Sequence, residues 1–189
     1  GELPAGVSRL VTGAAGGTGT AALLLGKAAG ARVIAVAGGA EKAELAARVG
    51  ADGVIDHHQT PDWVDAVRAA SDGGVDVAYD PVGGDTFHQV RRCMGWDGRL
   101  LVIGFVAGIP EVATNHALLK SYSIVGVHWG ASLAKFPESL RTQMTTLLGM
   151  ASTGAVDPPL YPPYPFESAA SALQDLADRK TYGKVVVRR

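Results

Sequence analysis

The chain has 189 residues, of which 47% are hydrophobic and 19% charged, with a formal net charge of -1 at pH 7. That length holds one ordinary domain plus at most a fragment of another, and the composition predicts a packed core rather than disorder. Scattered lysines and arginines form no basic stripe for nucleic acid, no apolar run is long enough to span a bilayer, and the lone Cys93 excludes an internal disulfide and a thiolate metal cage.

Apolar, β-branched runs predict strands over residues 8–12, 32–37, 53–56, 75–80, 99–103 and 123–128. Helical periodicity predicts helices over 18–29, 41–49, 61–70, 85–94 and 115–121. Pro61 after Thr60 marks one helix start, and Asp85 and Asn115 are candidate caps for two others. Repeated strand–helix–strand units imply right-handed crossovers and an α/β fold with a doubly wound parallel sheet. "RVIAVA" and "RLLVIG" are apolar on both faces, as a helix-covered sheet requires.

A helix over 137–152 follows the sixth strand. "VDPPLYPPYPF", residues 156–166, then holds five prolines and excludes a helix or a central strand. A helix over 167–178 and a closing strand "GKVVVRR" end the chain, with a domain boundary expected near residues 153–158.

The first predicted turn reads Ala14-Ala15-Gly16-Gly17-Thr18-Gly19, a G-x-G-x-x-G pattern with alanine in the first place. Gly16 falls where backbone must approach a pyrophosphate, and Gly19 where helix packs closely on strand. The helix beyond offers free N–H groups and a positive dipole end. Because the turn lies between a predicted strand and a predicted helix, it reads as a dinucleotide site rather than an ordinary tight turn. The second strand ends Ala37-Gly38-Gly39-Ala40-Glu41-Lys42, without the Asp or Glu that an NAD site carries at the strand end. NADP(H) is therefore the expected cofactor. Lys42 is either a counter-charge for the 2′-phosphate or a solvated helix lysine.

The same stretch fits the T-G-x-x-x-G-x-G of short-chain dehydrogenases. That class needs Tyr-x-x-x-Lys, and none of Tyr79, Tyr122, Tyr161, Tyr164 or Tyr182 has lysine four places on.

Taken in order, "VTGAAGGTG", "GARVIAVAGGAEK", "VGADGVIDH", "VDVAYDPVGGDTF", "GRLLVIGF", "SIVGVHWG" and "YGKVVV" resemble the cofactor-binding part of medium-chain dehydrogenase/reductases. Within that superfamily the chain is similar to the zinc-independent NADPH:quinone oxidoreductases, the zeta-crystallin-like group. The resemblance implies a Rossmann-type six-stranded sheet over residues 1–154. It makes residues 155–189 the returning tail of a β-rich (GroES-like) catalytic domain that would precede the first strand; the start at Gly1, without methionine, fits a chain cut from something longer. That tail, lacking its partner sheet, is expected to be displaced, mobile or packed on another copy.

The resemblance also implies that Gly16, Gly17 and Thr18 cradle the pyrophosphate, and that Gly38 and Lys42 flank the adenosine 2′-phosphate. His57 stands where many relatives carry a tyrosine beside that phosphate; the other reading is an exposed loop histidine. Gly104, Phe105 and Val106 would line the nicotinamide side. His128, Trp129 and Gly130 would form another cofactor-facing loop, Trp129 being otherwise an interface or core aromatic. Asp80, at a strand's carboxyl end, is read as orienting backbone rather than catalysing.

No acid–base constellation, nucleophile–base pair or metal-ligand cluster stands out, and His57-His58 is poor metal spacing. The expected activity of the whole protein is hydride transfer from NADPH to a quinone or activated alkene, with this chain supplying one wall of the site and binding cofactor without full activity. The alternatives are an enoyl-thioester reductase and a non-catalytic, RNA-binding zeta-crystallin-like protein; the lack of a basic groove disfavours RNA. A homodimer through the sixth strand, residues 123–130, and a reducing, cytoplasmic setting complete the expectations.

Overall fold

A computed structural model describes residues 6–189; the opening residues 1–5, on which the reading of a missing start rests, lie outside the described residues. Six parallel strands form one sheet in the order β3-β2-β1-β4-β5-β6: β1 (Ser8–Val11), β2 (Arg32–Ala37), β3 (Gly53–Asp56), β4 (Val75–Asp80), β5 (Met94–Val102) and β6 (Ser123–Gly126). The chain winds outward from β1 to β3, then returns to β4 on the other side of β1. This is the Rossmann-type α/β fold, and its switch of direction lies between β1 and β4.

Alternate residues feed two cores. Leu10, Ile34 and Val36 face the helices α3 (Val64–Ala70) and α4 (Gly84–Cys93), packing with Val67, Phe87 and Val90. Their neighbours Val11, Val33 and Ala35 turn to α1 (Gly17–Ala28) and α2 (Ala40–Arg48), packing with Leu23 and Ala46. A strand buried on both faces must be apolar throughout, which accounts for "RVIAVA".

The second half is thinner. Helices α5 (Asn115–Lys120), α6 (Trp129–Lys135) and α7 (Pro137–Ser152) contain no buried residue, and all of β6 is exposed. Leu140, Met144 and Leu148 of α7 meet solvent, as do Ile124 and Val125 of β6. Among the described residues no helix is long and apolar enough to cross a membrane.

Several expectations are corrected. α3 begins at Val64, not Pro61, because Gln89 of α4 pins the preceding segment: its Oε1 accepts the Trp63 N–H and its amide donates to the Pro61 carbonyl. Neither Asp85 nor Asn115 caps a helix; the cap positions are Gly83 and Thr114. β5 starts five residues early, with a register shift against β4. The sixth strand stops at Gly126, since His128 turns the chain into α6, its Nδ1 accepting the Ala131 N–H at 3.0 Å.

Nor is the tail displaced. Leu160 bridges to Lys184, the short strand β7 (Tyr164–Pro165) pairs with β8 (Val187–Arg188), and α8 (Ala169–Ala177) packs beside them. The Gly183 N–H donates to Ala15 in the first turn, and Tyr182 packs against Ala15, Ala37 and Leu45. Its outer face still exposes Leu160, Phe166, Leu173 and Leu176.

Candidate functional site

A cavity of about 1000 Å³ opens along the carboxyl ends of the strands. Thr12 after β1, Gly38 after β2, His57 after β3 and Pro81 after β4 all line it, so it straddles the switch in winding direction. Open α/β sheets place ligands in this crevice, and the volume suits a large organic ligand.

The glycine turn forms its middle. Gly13 takes the left-handed conformation, φ +57°, one place before the pattern's altered position. The turn therefore does not need glycine at residue 14, and Ala14 is buried beneath it. Gly16 and Gly17 line the cavity with Thr18 at the start of α1, whose first-turn N–H groups have no carbonyl partner in their own helix. Gly19 lies beneath: a Cβ there would come 2.2 Å from the Gly13 carbonyl oxygen and 2.7 Å from Ala14 Cα. Only hydrogen fits.

Asp80 holds this turn against the next one. It is 1% exposed, and its Oδ1 accepts the Thr12 hydroxyl at 2.6 Å and the Val82 N–H at 3.0 Å, with Gly83 N–H at 3.3 Å from Oδ2. The carboxylate thus joins the ends of β1 and β4 and orients backbone.

The end of the cavity beyond β2 is the charged one. Lys42 and Glu41 enter from α2, and Asp178, Arg179 and Lys180 from the tail. Lys42 donates to the Arg179 carbonyl oxygen, while Lys180 bridges Asp178 at 3.0 Å and Asp175 at 3.1 Å. Those two hydrogen bonds raise the Lys180 ammonium above its ordinary pKa. The strand end itself carries no carboxylate, yet Glu41 and Asp178 both reach this wall. His57 and His58 complete it.

Of the predicted site residues, Gly16, Gly17, Thr18, Gly38, Lys42, His57 and Val106 share this one cavity. Gly104, Phe105 and Trp129 stand outside its wall. Gly104 packs on the Pro81 carbonyl, Phe105 is 49% exposed, and Trp129 is 57% exposed with its indole N–H donating to Gln143. His58, Arg179, Lys180 and Thr181 also line the cavity without a signal in the sequence, since nothing in the tail's pattern announces its return to the first turn.

Among the described residues no group of three or more His, Cys, Asp or Glu side chains is placed to hold a metal ion. Burial pushes the Cys93 thiol up to about 12, far from a metal-binding thiolate.

The family model for zinc-binding dehydrogenases matches residues 17–146. The chain belongs to that family. Within the medium-chain dehydrogenase/reductase superfamily it falls in the quinone oxidoreductase-like group. It is 36% identical over 185 residues to quinone oxidoreductase-like protein 2 of Mus musculus, a match covering 96% of this chain and 53% of that protein. With prostaglandin reductase-3 of Mus musculus it shares 41% identity over 151 residues, 74% of this chain and 40% of the relative. The fold superposes on Escherichia coli quinone oxidoreductase complexed with NADPH with a TM-score of 0.88 and 27% identity, over 100% of this chain and 59% of that one. The chain spans about half the length of the curated relatives it matches. The family's description implies zinc, and the described residues do not fit one; ligands for such an ion would have to come from elsewhere.

Proposed function

We propose that the cavity binds NADP(H) and that the chain is the cofactor-holding part of an NADPH-dependent oxidoreductase acting on a quinone or activated alkene. One observation carries this reading: a side-chain-free turn at Gly16-Gly17 shares a cavity with a charged end that presents Lys42, Arg179 and Lys180 beside Glu41 and Asp178. Gly16, Gly17 and Thr18 would meet the pyrophosphate, with the Lys184 ammonium group beside Gly17 as a further counter-charge. Gly38, Lys42 and Arg179 would meet the adenosine 2′-phosphate. Val106, and beyond it Gly104 and Phe105, would face the nicotinamide, which supplies hydride when bound. This chain's part is to hold and aim the cofactor.

The relatives named as quinone oxidoreductases support a quinone as the hydride acceptor, with an activated alkene as the alternative. The catalytic partner wall would come from a further domain, of which residues 155–189 form the returning part. The uncovered face of β6 fits a second copy pairing strand to strand, giving a homodimer that light scattering would register. A reducing, cytoplasmic setting suits the single buried Cys93.

Calorimetric titration with NADPH and NADH side by side tests the assignment. Lys42→Ala should weaken NADPH by about 1–3 kcal/mol more than NADH, the scale of a charge-assisted hydrogen bond. Equal losses would remove Lys42 from the phosphate site.

A further inference from the structure

β3 ends in Asp56, and the next two residues are both histidines. Their rings stand edge to face with centroids 4.7 Å apart, and both line the cavity. They converge on one point of the β2 turn: a Cβ on Gly38 would lie 2.7 Å from His57 Nε2 and 2.9 Å from His58 Nε2. Asp56 braces them from behind, outside the cavity wall. Its Oδ1 accepts the Gly39 N–H at 2.7 Å and the His58 N–H at 2.9 Å, so turn and histidines move as one piece.

We propose that His57 and His58 form a proton-gated anion subsite that selects a dinucleotide bearing a 2′-phosphomonoester over one lacking it, more strongly as pH falls through the imidazole range. This rests on the NADP(H) reading of the cavity. It adds a specificity device that belongs to the histidine pair.

The charged groups that share the cavity wall with the pair come from three elements. α2 presents Glu41 and Lys42, the first turn of α4 presents Asp85, and the tail presents Asp178, Arg179 and Lys180. Lysine and arginine ordinarily titrate above about pH 10 and carboxyl groups below about pH 5, so between pH 6 and 8 the imidazoles change charge. Several of the other charges are already spent: Lys180 on Asp175 and Asp178, Lys42 on a backbone carbonyl.

The sign follows from what surrounds His57. Burial first, then the neighbouring His58, lowers its pKa below the ordinary imidazole value, with Asp56 pulling the other way and Lys42 adding to the depression. His57 is therefore poised to be neutral near neutral pH. A phosphate dianion against the rings favours the imidazolium, so binding takes up a proton and affinity rises as pH falls. NADH places no phosphate there and its affinity should not follow. The phosphate's own second ionisation, near pH 6, opposes the trend and is measured alone when the imidazoles are removed.

The test is calorimetry with NADPH and NADH from about pH 8 to about pH 6 at fixed ionic strength, on the unaltered chain and on His57→Gln/His58→Gln. The unaltered chain should show its NADPH-to-NADH affinity ratio rising about three- to fivefold over that range, the part of a one-unit pKa rise that falls between those pH values. The double variant should show a flat or falling ratio. Independently of any variant, titrations near pH 7 in two buffers of different ionisation enthalpy should register net proton uptake with NADPH and none with NADH. A ratio with the same pH slope in both proteins, or no proton uptake with NADPH, overturns the histidine assignment while leaving a pH-independent NADPH preference, and so the cavity reading, intact. Failure to bind NADPH at any pH overturns both.

Discussion

The backbone N–H of Gly183 donates to the carbonyl oxygen of Ala15 across 2.8 Å, tying the end of the chain to the turn that opens the cavity. Gly183 itself sits at φ +54°, and a Cβ there would fall 2.2 Å from the Pro159 carbonyl oxygen. The tail can cross the glycine turn only because this residue has no side chain. Gly183→Ala should therefore cost about 2 kcal/mol of tail docking, from left-handed strain and backbone overlap. Hydrogen exchange would show faster exchange across residues 157–189 with the six-stranded sheet unchanged. Equal protection in both proteins would mean that the tail is held by other contacts.

Gly19 is constrained by backbone rather than by flexible side chains. Its nearest neighbours would be the Gly13 carbonyl and Ala14 Cα, neither of which can swing aside. Gly19→Ala should destabilise the chain by about 1–3 kcal/mol through overpacking of helix on strand. Urea unfolding measures this through a lowered midpoint with an unchanged slope.

Asp80 is the buried joint between β1 and β4. Asp80→Ala leaves the Thr12 hydroxyl and the Val82 and Gly83 N–H groups without their acceptor and should cost about 2–4 kcal/mol. Asp80→Asn keeps one carbonyl oxygen for them and should cost less, about 1 kcal/mol. Chemical denaturation of the two variants ranks them; an equal cost would show that the packing of the side chain, and not its acceptors, holds the joint.

Acid should loosen the β2–β3 edge. Burial acts to raise the Asp52 pKa, but hydrogen bonds from Lys27 at 2.6 Å and the Val33 N–H at 2.7 Å bring it below the ordinary carboxyl value. A depressed folded pKa means stability that is present above the unfolded value, near pH 4, and lost as pH falls through the folded one. The pair is a third exposed, so solvent screening keeps the contribution to about 1 kcal/mol. Asp52→Asn should lower the melting temperature at pH 7 and lose that deficit towards pH 2–3, which thermal melts across the range would follow.

Much of the fold is legible in the residues because the central strands are apolar on both faces. Ile34 and Val33 have no alternative to a sheet covered on each side, and their runs end at glycine. What was not legible depends on distant partners. The start of α3 is set by Gln89, twenty-six residues away, and α6 begins on a histidine side chain acting as the acceptor usually supplied by Ser, Thr, Asp or Asn.

The site divides the same way. The turn at Gly16–Gly19 announces itself through glycine spacing between a strand and a helix. The charged end does not, because Arg179 and Lys180 arrive from the far end of the chain and Lys42 is engaged by the tail's own backbone. For His58 the reason is the opposite: the family resemblance offers a role to His57 alone, whereas the geometry places both imidazoles against Gly38.

The measurement closest to the central claim is a crystal structure of the chain grown with NADPH. The account predicts the pyrophosphate on the backbone of Gly16, Gly17 and Thr18, with the 2′-phosphate among Lys42, Arg179 and the two histidines. A dinucleotide bound elsewhere, or lying in this crevice with its adenosine directed towards Val106, would contradict it.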